Sequence, residues 1–318
     1  PPLSARRQRQ MCIRDSTKIL LALLLVAMSP FTAAQTSEWI PIKIDNGKIL
    51  VNTTFAGIDG YSVIDTGSNW SAINTRFLEK HRIDLNATGE TQVSGFFQSK
   101  QRPFYTNIPA TVFGTPTRFA YLGEVTLTSD TTQLLIGGDL LKQNIFQFDY
   151  PNQRMRWLTR DSLDLKTISN VPSKVDKHSQ RVIAKVNLNN QQDLWVTVDT
   201  GAASGLWIDR SLAAKRGWLK KHHATSARAR GANAEGNIEQ FRLPTVNIGE
   251  FETNNTLVSV TAADQPNQLF ERSTRPGSKM QRPKGKSRGL LGWDALKHFV
   301  LTIDYRIGKI HLEPSAPA

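Results

Sequence analysis

Cysteine is almost absent from the chain: one residue of that type, Cys12, occurs in 318. One thiol, placed in a stretch expected to lie outside the working protein, gives no disulfide framework, no thiolate zinc site and no cysteine nucleophile. The six histidines (His81, His178, His222, His223, His298 and His311) contain no His-Glu-x-x-His pair, so a metalloprotease of that type is excluded too. Long apolar runs are equally scarce. The run Ile19–Met28 has ten residues, too few for a bilayer core of about 30 Å. Acids are outnumbered, 27 against 40 Lys and Arg, for a net charge of +13. An ordinary apolar content of 39% argues against wholesale disorder, and the length allows about two domains with a sizeable core.

The N-terminal region reads as a leader. Lys18, the apolar run, the Ser29-Pro30 break and the small residues Thr32-Ala33-Ala34 follow the order of a secretory signal peptide. No cysteine follows the run, so no lipoprotein anchor is expected. Residues 1–16 match no targeting pattern and read as translated adapter or vector sequence. The expected division is therefore 1–34 leader and signal peptide, 35–158 first lobe, 159–179 linker and 180–318 second lobe. Cutting after Ala34 would remove five basic residues and one acid, leaving +9 over 284 residues. That balance favours contact with anionic surfaces.

What the chain does have is a repeat. Ser62-Val63-Ile64-Asp65-Thr66-Gly67-Ser68 returns as Val196-Thr197-Val198-Asp199-Thr200-Gly201-Ala202. Leu135-Ile136-Gly137-Gly138-Asp139 returns as Leu290-Leu291-Gly292-Trp293-Asp294, and Phe148-Asp149-Tyr150 as Ile303-Asp304-Tyr305. Four ordered elements repeated, including the alternating segments after Tyr150 and Tyr305, indicate a duplicated domain. Flanking segments such as Trp39–Ile44 and Val182–Leu188 alternate like strands, with turn residues at Asp45-Asn46-Gly47 and Asn189-Asn190. Short helices are expected near Thr75–His81, Asp209–Arg216 and Trp293–Lys297.

An apolar strand running into Asp-Thr-Gly holds a carboxylate at a fixed point, and the glycine allows close packing around it. Two such loops, one per lobe, can bring two carboxylates together. Like charges about 3 Å apart cannot both ionise, so the pair shares one proton. The ionised member can deprotonate a water while the protonated one polarises a carbonyl oxygen, which hydrolyses an amide without metal or covalent intermediate.

With these motifs the chain resembles the bilobal aspartic proteases over about residues 38–315, pepsin-like in layout and retropepsin-like in lobe size. The resemblance implies an all-β fold of two homologous β-barrel lobes with the active site at their interface. It implies Asp65 and Asp199 as the catalytic dyad, Thr66 and Thr200 hydrogen-bonded across the interface, and Gly67 and Gly201 orienting the carboxylates. Gly137 and Gly292 would lie in ψ-loops beneath them. Ser68 can donate to its aspartate while Ala202 cannot, which suggests a pH optimum of about 4–6. No cofactor, metal or nucleotide is implied, and a monomer suffices because one chain supplies both aspartates.

A flap hairpin is expected between each catalytic loop and its ψ-loop. Gly95, Phe96, Phe97 and Tyr105 are the candidates for lining the substrate cleft, with Tyr105 nearest to a flap tyrosine and Gly231-Ala232 the counterpart in the second lobe. The interval from aspartate to ψ-loop glycine is 72 residues in the first copy and 93 in the second. Most of the excess should precede the second ψ-loop, around the basic stretch Arg272–Arg288, a possible contact for an anionic surface. Three functions remain open: an exported aspartic endopeptidase acting on polypeptides, a silent bilobal module binding peptide or glycan, and a polyanion-binding envelope protein. The paired aspartates favour the first, in a bacterial periplasm or secreted, with no transmembrane segment in the mature chain. Residues 35–45 are too short for a large activation segment.

Overall fold

Alternating apolar and polar residues carry the chain through short strands joined by tight turns. The computed structural model describes residues 36–265 and 287–315. The leader expected over 1–34 and nearly all of the basic stretch Arg272–Arg288 lie outside the described residues. In the first lobe, Lys48–Phe55 turns back into Ile58–Ile64 through Ala56 and Gly57, at φ 53° and 76°. Two successive positive φ values give a turn whose twist matches a two-residue hairpin. Ile49, Val51 and Phe55 enter the main core, whereas Leu50 and Val63 join a second apolar cluster with Ala72, Val125 and Leu135. Side chains of successive residues take opposite faces, so one hairpin serves both.

Each lobe then builds the same knot of strands. Thr132–Ile136 lies parallel to Ile58–Ile64 and antiparallel to Ala72–Asn74. In the second lobe Gly289–Leu291 lies parallel to Gln192–Val198 and antiparallel to Leu206–Ile208. Pairing of Val182–Leu188 with the long strand Glu235–Ile248 closes the second lobe into a barrel. In the first lobe the corresponding contact is Thr53↔Val112 through Phe55↔Ala110. Helices Thr75–His81 and Arg210–Lys215 start at Asn74 and Asp209, whose side chains accept the N–H of Arg76 and Ser211.

A five-stranded sheet joins the lobes, with Ile145–Asp149 of the first antiparallel to Phe299–Asp304 of the second. Gln147 pairs with Thr302, flanked by Phe146↔Ile303 and Phe148↔Leu301. Asp149 and Asp304 are counterparts in the repeat, 155 positions apart, and Gln147 and Thr302 are separated by the same distance. The middle pair is thus a residue facing its own counterpart, which places the pseudo-twofold axis between Gln147 and Thr302. The Gln147 amide donates to the Thr302 hydroxyl at 2.9 Å. The repeated Asp149 and Asp304 are buried at the ends of these strands and satisfied by Arg154 and Arg160, respectively.

The stretch 159–179 is more than a tether. It forms a helix at Leu165–Ile168 and a strand at Ser173–Val175 that pairs with Val182–Leu188 as the edge of the second lobe's sheet. The extra length of the second lobe falls between Thr261 and Gly289, 27 intervening residues against 6 between Val125 and Thr132.

Candidate active site

The strand Ile58–Ile64 delivers Asp65, and Gln192–Val198 delivers Asp199. The backbone N–H of each aspartate donates to the ψ-strand beside it, Asp65 to Ile136 O and Asp199 to Leu291 O, both at 2.9 Å. Immediately beyond, Gly138 N–H donates to Ser68 O and Trp293 N–H to Ala202 O, so the ψ-turns support the two loops from below. Gly67 N–H donates to Asp65 Oδ1 at 2.8 Å and Gly201 N–H to Asp199 Oδ1 at 2.9 Å.

These glycines also allow the lobes to meet. A Cβ at Gly67 would lie 2.5 Å from Asp199 Cγ, and one at Gly201 would lie 2.8 Å from Asp65 Cγ. No side chain fits at either position, so each aspartate packs its carboxyl group on the other loop's glycine. The carboxyl groups of Asp65 and Asp199 are close enough to influence each other's protonation.

The threonines cross-brace the loops. Thr66 Oγ1 donates to Val198 O at 2.8 Å and accepts from Thr200 N–H at 3.0 Å. Thr200 Oγ1 donates to Ile64 O at 2.8 Å and accepts from Thr66 N–H at 3.1 Å. Both threonines are fully buried, so these four bonds are shielded from water.

Burial raises the pKa of both aspartates, Asp199 well above the usual carboxylate value. After burial, the negative charge of Asp65 pushes Asp199 further up. For Asp65 the approach of the Asp199 carboxyl acts in the opposite direction, as do the positive charges of Arg181 and Lys48. The pair therefore keeps a proton to higher pH than a lone carboxylate.

Two expectations need correction in detail. The Ser68 hydroxyl donates to Trp70 O at 2.8 Å, not to Asp65, so its replacement by Ala202 in the second loop removes nothing from the dyad. The rise in pKa comes from burial at both aspartates and, at Asp199, also from the negative charge of Asp65. Tyr105 ends the strand Ser99–Tyr105 but is buried in the first lobe's core, its hydroxyl on Glu124, and does not reach the cavity. An aromatic residue at the right distance from a catalytic loop cannot reveal a partner 19 positions away.

Gly95, Phe96 and Phe97 do line the cavity above the dyad. They form the tip of the hairpin Gly89–Ser94 and Ser99–Tyr105, and this tip crosses to the second lobe. Phe96 packs on Trp207 with ring centroids 4.4 Å apart, and Phe97 is buried with Ala202, Trp207, Ile238 and Leu290. The second lobe's tip, Gly231 to Ala234, reaches back. Ala232 O accepts from Thr126 N–H, and the Asn233 amide donates to Val93 O and Gln98 O. The cavity measures about 220 Å³ and is partly open to solvent.

Several lining residues are not apparent from the motifs: Lys48, Arg181, Trp207 and Leu127. Lys48 starts, and Arg181 immediately precedes, the strand that pairs with the aspartate-bearing one in its lobe, and their signal is positional. Leu50 pairs with Val63 and Ile183 with Thr197, each partner lying two residues before its aspartate. Lys48 and Arg181 stand two residues before Leu50 and Ile183, so they occupy equivalent sites in the two lobes. Among the described residues, no group of three His, Asp or Glu side chains is arranged to hold a metal ion.

Comparison with known proteins agrees with this geometry. The family described as Aspartyl protease matches residues 184–295, the part of the second lobe that contains Asp199 and its ψ-turn. No curated protein matches the sequence. Among solved structures, the chain is similar to an aspartic proteinase from Irpex lacteus, with a TM-score of 0.51 and 11% identity. That likeness covers 89% of this chain and 98% of the other. The chain has the bilobal fold of the pepsin- and retropepsin-like aspartic proteases.

Proposed function

We propose that the protein is an aspartic-type endopeptidase that hydrolyses polypeptides with Asp65 and Asp199. The observation that carries this reading is the mutual approach of two half-buried carboxyl groups, each packed on the other loop's glycine. With one proton between them, the ionised carboxylate takes a proton from a bound water, whose oxygen attacks the peptide carbonyl carbon. The protonated carboxyl donates to the carbonyl oxygen, giving a neutral tetrahedral diol. Collapse of the diol returns a proton to the carboxylates, the amide nitrogen takes one as the C–N bond breaks, and the dyad is again singly protonated. The Thr66–Thr200 brace fixes the separation on which this sharing depends.

The cavity is smaller than the roughly 300–1,000 Å³ of typical ligand pockets. The two hairpin tips, bonded to each other across the cleft, would part to admit a peptide and can close over it afterwards. Export to a bacterial periplasm or beyond is supported by the leader pattern at Lys18–Gln35. Action as a monomer is supported by the supply of both aspartates from one chain. No helix among the described residues is long and apolar enough to cross a membrane.

The test is cleavage of an unfolded protein between pH 3 and 7 by the wild type, Asp65→Asn and Asp199→Asn. The expected result is wild-type activity in mild acid, about pH 4–6, and a loss of about 10³-fold or more in each variant. Folded wild-type protein that cleaves nothing across this range would instead favour a silent module that binds peptide or glycan.

A further inference from the structure

The charged residues lining the cavity do not balance. Besides Asp65 and Asp199 they are Lys48, Arg181 and Arg230, and Arg230 is neutralised by Glu235 at 2.6 Å. With one proton shared, the dyad carries a single negative charge against the two positive charges of Lys48 and Arg181. Neither cation forms an ion pair with any acid among the described residues. Both are half-buried, and Arg181 Nε is shielded from solvent without a hydrogen-bond partner.

Symmetry makes this arrangement more specific. The strand register places Lys48 and Arg181 at equivalent positions, one on each side of the pseudo-twofold axis. A peptide lying across the dyad would pass one cation on each side of the bond to be cut. A half-buried guanidinium whose shielded Nε has no partner, in a cavity of net positive charge, favours a ligand that brings a carboxylate.

We propose that Lys48 and Arg181 form an anion subsite that selects polypeptides carrying Asp or Glu beside the scissile bond. This proposal rests on the reading of the cavity as a peptide cleft. The substrate carboxylate restores charge balance when the dyad is singly protonated, and it satisfies the Arg181 donor that the free protein leaves unpaired. The aromatic tip at Phe96 and Phe97 covers the second lobe's share of the cleft, so the selected segment pairs an acidic residue with apolar neighbours.

The experiment compares two peptide series of one sequence, with Glu or Gln at each position flanking the bond, at about pH 6 where a glutamate side chain is ionised. In the wild type, kcat/KM should favour a Glu peptide by about tenfold or more, with the preference shrinking as salt is raised. In Lys48→Met/Arg181→Met the Glu-to-Gln ratio should fall to about 1. A second arm reads binding without turnover. Asp65→Asn leaves the dyad with at most one negative charge and removes turnover, and fluorescence anisotropy with labelled Glu and Gln peptides should show the same preference, abolished by adding the two Met substitutions. Discrimination in binding without cleavage by the wild type would sink the protease reading and leave the anion subsite standing. Equal handling of Glu and Gln peptides by the wild type in both arms would overturn the subsite. So would a preference that survives the double substitution, even if the pH profile moved.

Discussion

Beneath Asp65, the ψ-turn carboxyl of Asp139 accepts the Ser71 N–H and hydroxyl, and burial raises its pKa despite these bonds. Beneath Asp199 its counterpart Asp294 is also penalised by burial. There, however, Lys297, the Leu257 N–H and the charge of Arg242 prevail and lower the pKa. The ψ-turn glycine shows the same divergence. Gly137 N–H donates to the Ser71 hydroxyl, whereas Gly292 N–H donates to the backbone carbonyl of Gly205. The repeated position thus preserves a backbone fixture, and its charge state is free to differ. Symmetry is strict where the two Asp-Thr-Gly loops touch and relaxed one layer below.

The hairpin tips are the most unequal pair, Gly95-Phe96-Phe97 facing Gly231-Ala232-Asn233. One tip is held by apolar burial and the other by amide hydrogen bonds. Removing the buried ring in Phe97→Ala should loosen tip closure by about 3 kcal/mol, read as faster hydrogen exchange at residues 95–98 and 231–234. Asn233→Ala should have a smaller effect, about 1 kcal/mol for each lost bond. Equal effects would erase the distinction between the tips.

The threonine brace should behave oppositely, as a truly symmetric element. Thr66→Ala and Thr200→Ala should each lower the unfolding free energy by about 2 kcal/mol, because each strands a buried carbonyl and a buried N–H. Urea midpoints that differ strongly between the two variants would break the symmetry, and Thr→Ser should restore most of the loss in both.

The smallest expected effects concern the ψ-turn acids. A carboxyl with a lowered folded pKa adds stability above its unfolded pKa and loses it as pH falls through the folded one. Asp294→Asn should therefore cost under about 1 kcal/mol at neutral pH, and the difference should vanish in strong acid. Asp139, with a raised pKa, has the opposite slope. Its wild-type advantage over Asp139→Asn should decline as pH rises through its pKa. Parallel pH profiles of the two urea midpoints would show that the lobes are electrostatically alike after all.

Much of this architecture was legible in the repeat. Duplication of Asp-Thr-Gly, of the apolar-Gly step and of the terminal Asp-Tyr pair identified two like lobes. The helices expected near Thr75 and Asp209 form at Thr75–His81 and Arg210–Lys215, and the structure adds their caps at Asn74 and Asp209. Lys48 and Arg181 were hidden by a one-residue change in register. The aspartates are 134 positions apart, whereas the paired residues Leu50 and Ile183 are 133 apart, so sequence alignment on the aspartates sets Lys48 against Val182. The role of Ser68 was unreadable for another reason. Its hydroxyl could reach either the carboxylate or Trp70 O, and only the three-dimensional path of the loop decides.

The ladder centred on Gln147 and Thr302 has a consequence for the ancestry and assembly of such a molecule. A strand that meets its own counterpart across a twofold axis can also meet a second copy of itself in the same register. Chain cleavage after the first lobe would leave each half with an uncovered edge, at Ile145–Asp149 or at Phe299–Asp304. Each half would carry one aspartate, together with a template for recruiting another half. The covalent link makes a heterologous pair out of a surface already suited to homodimers.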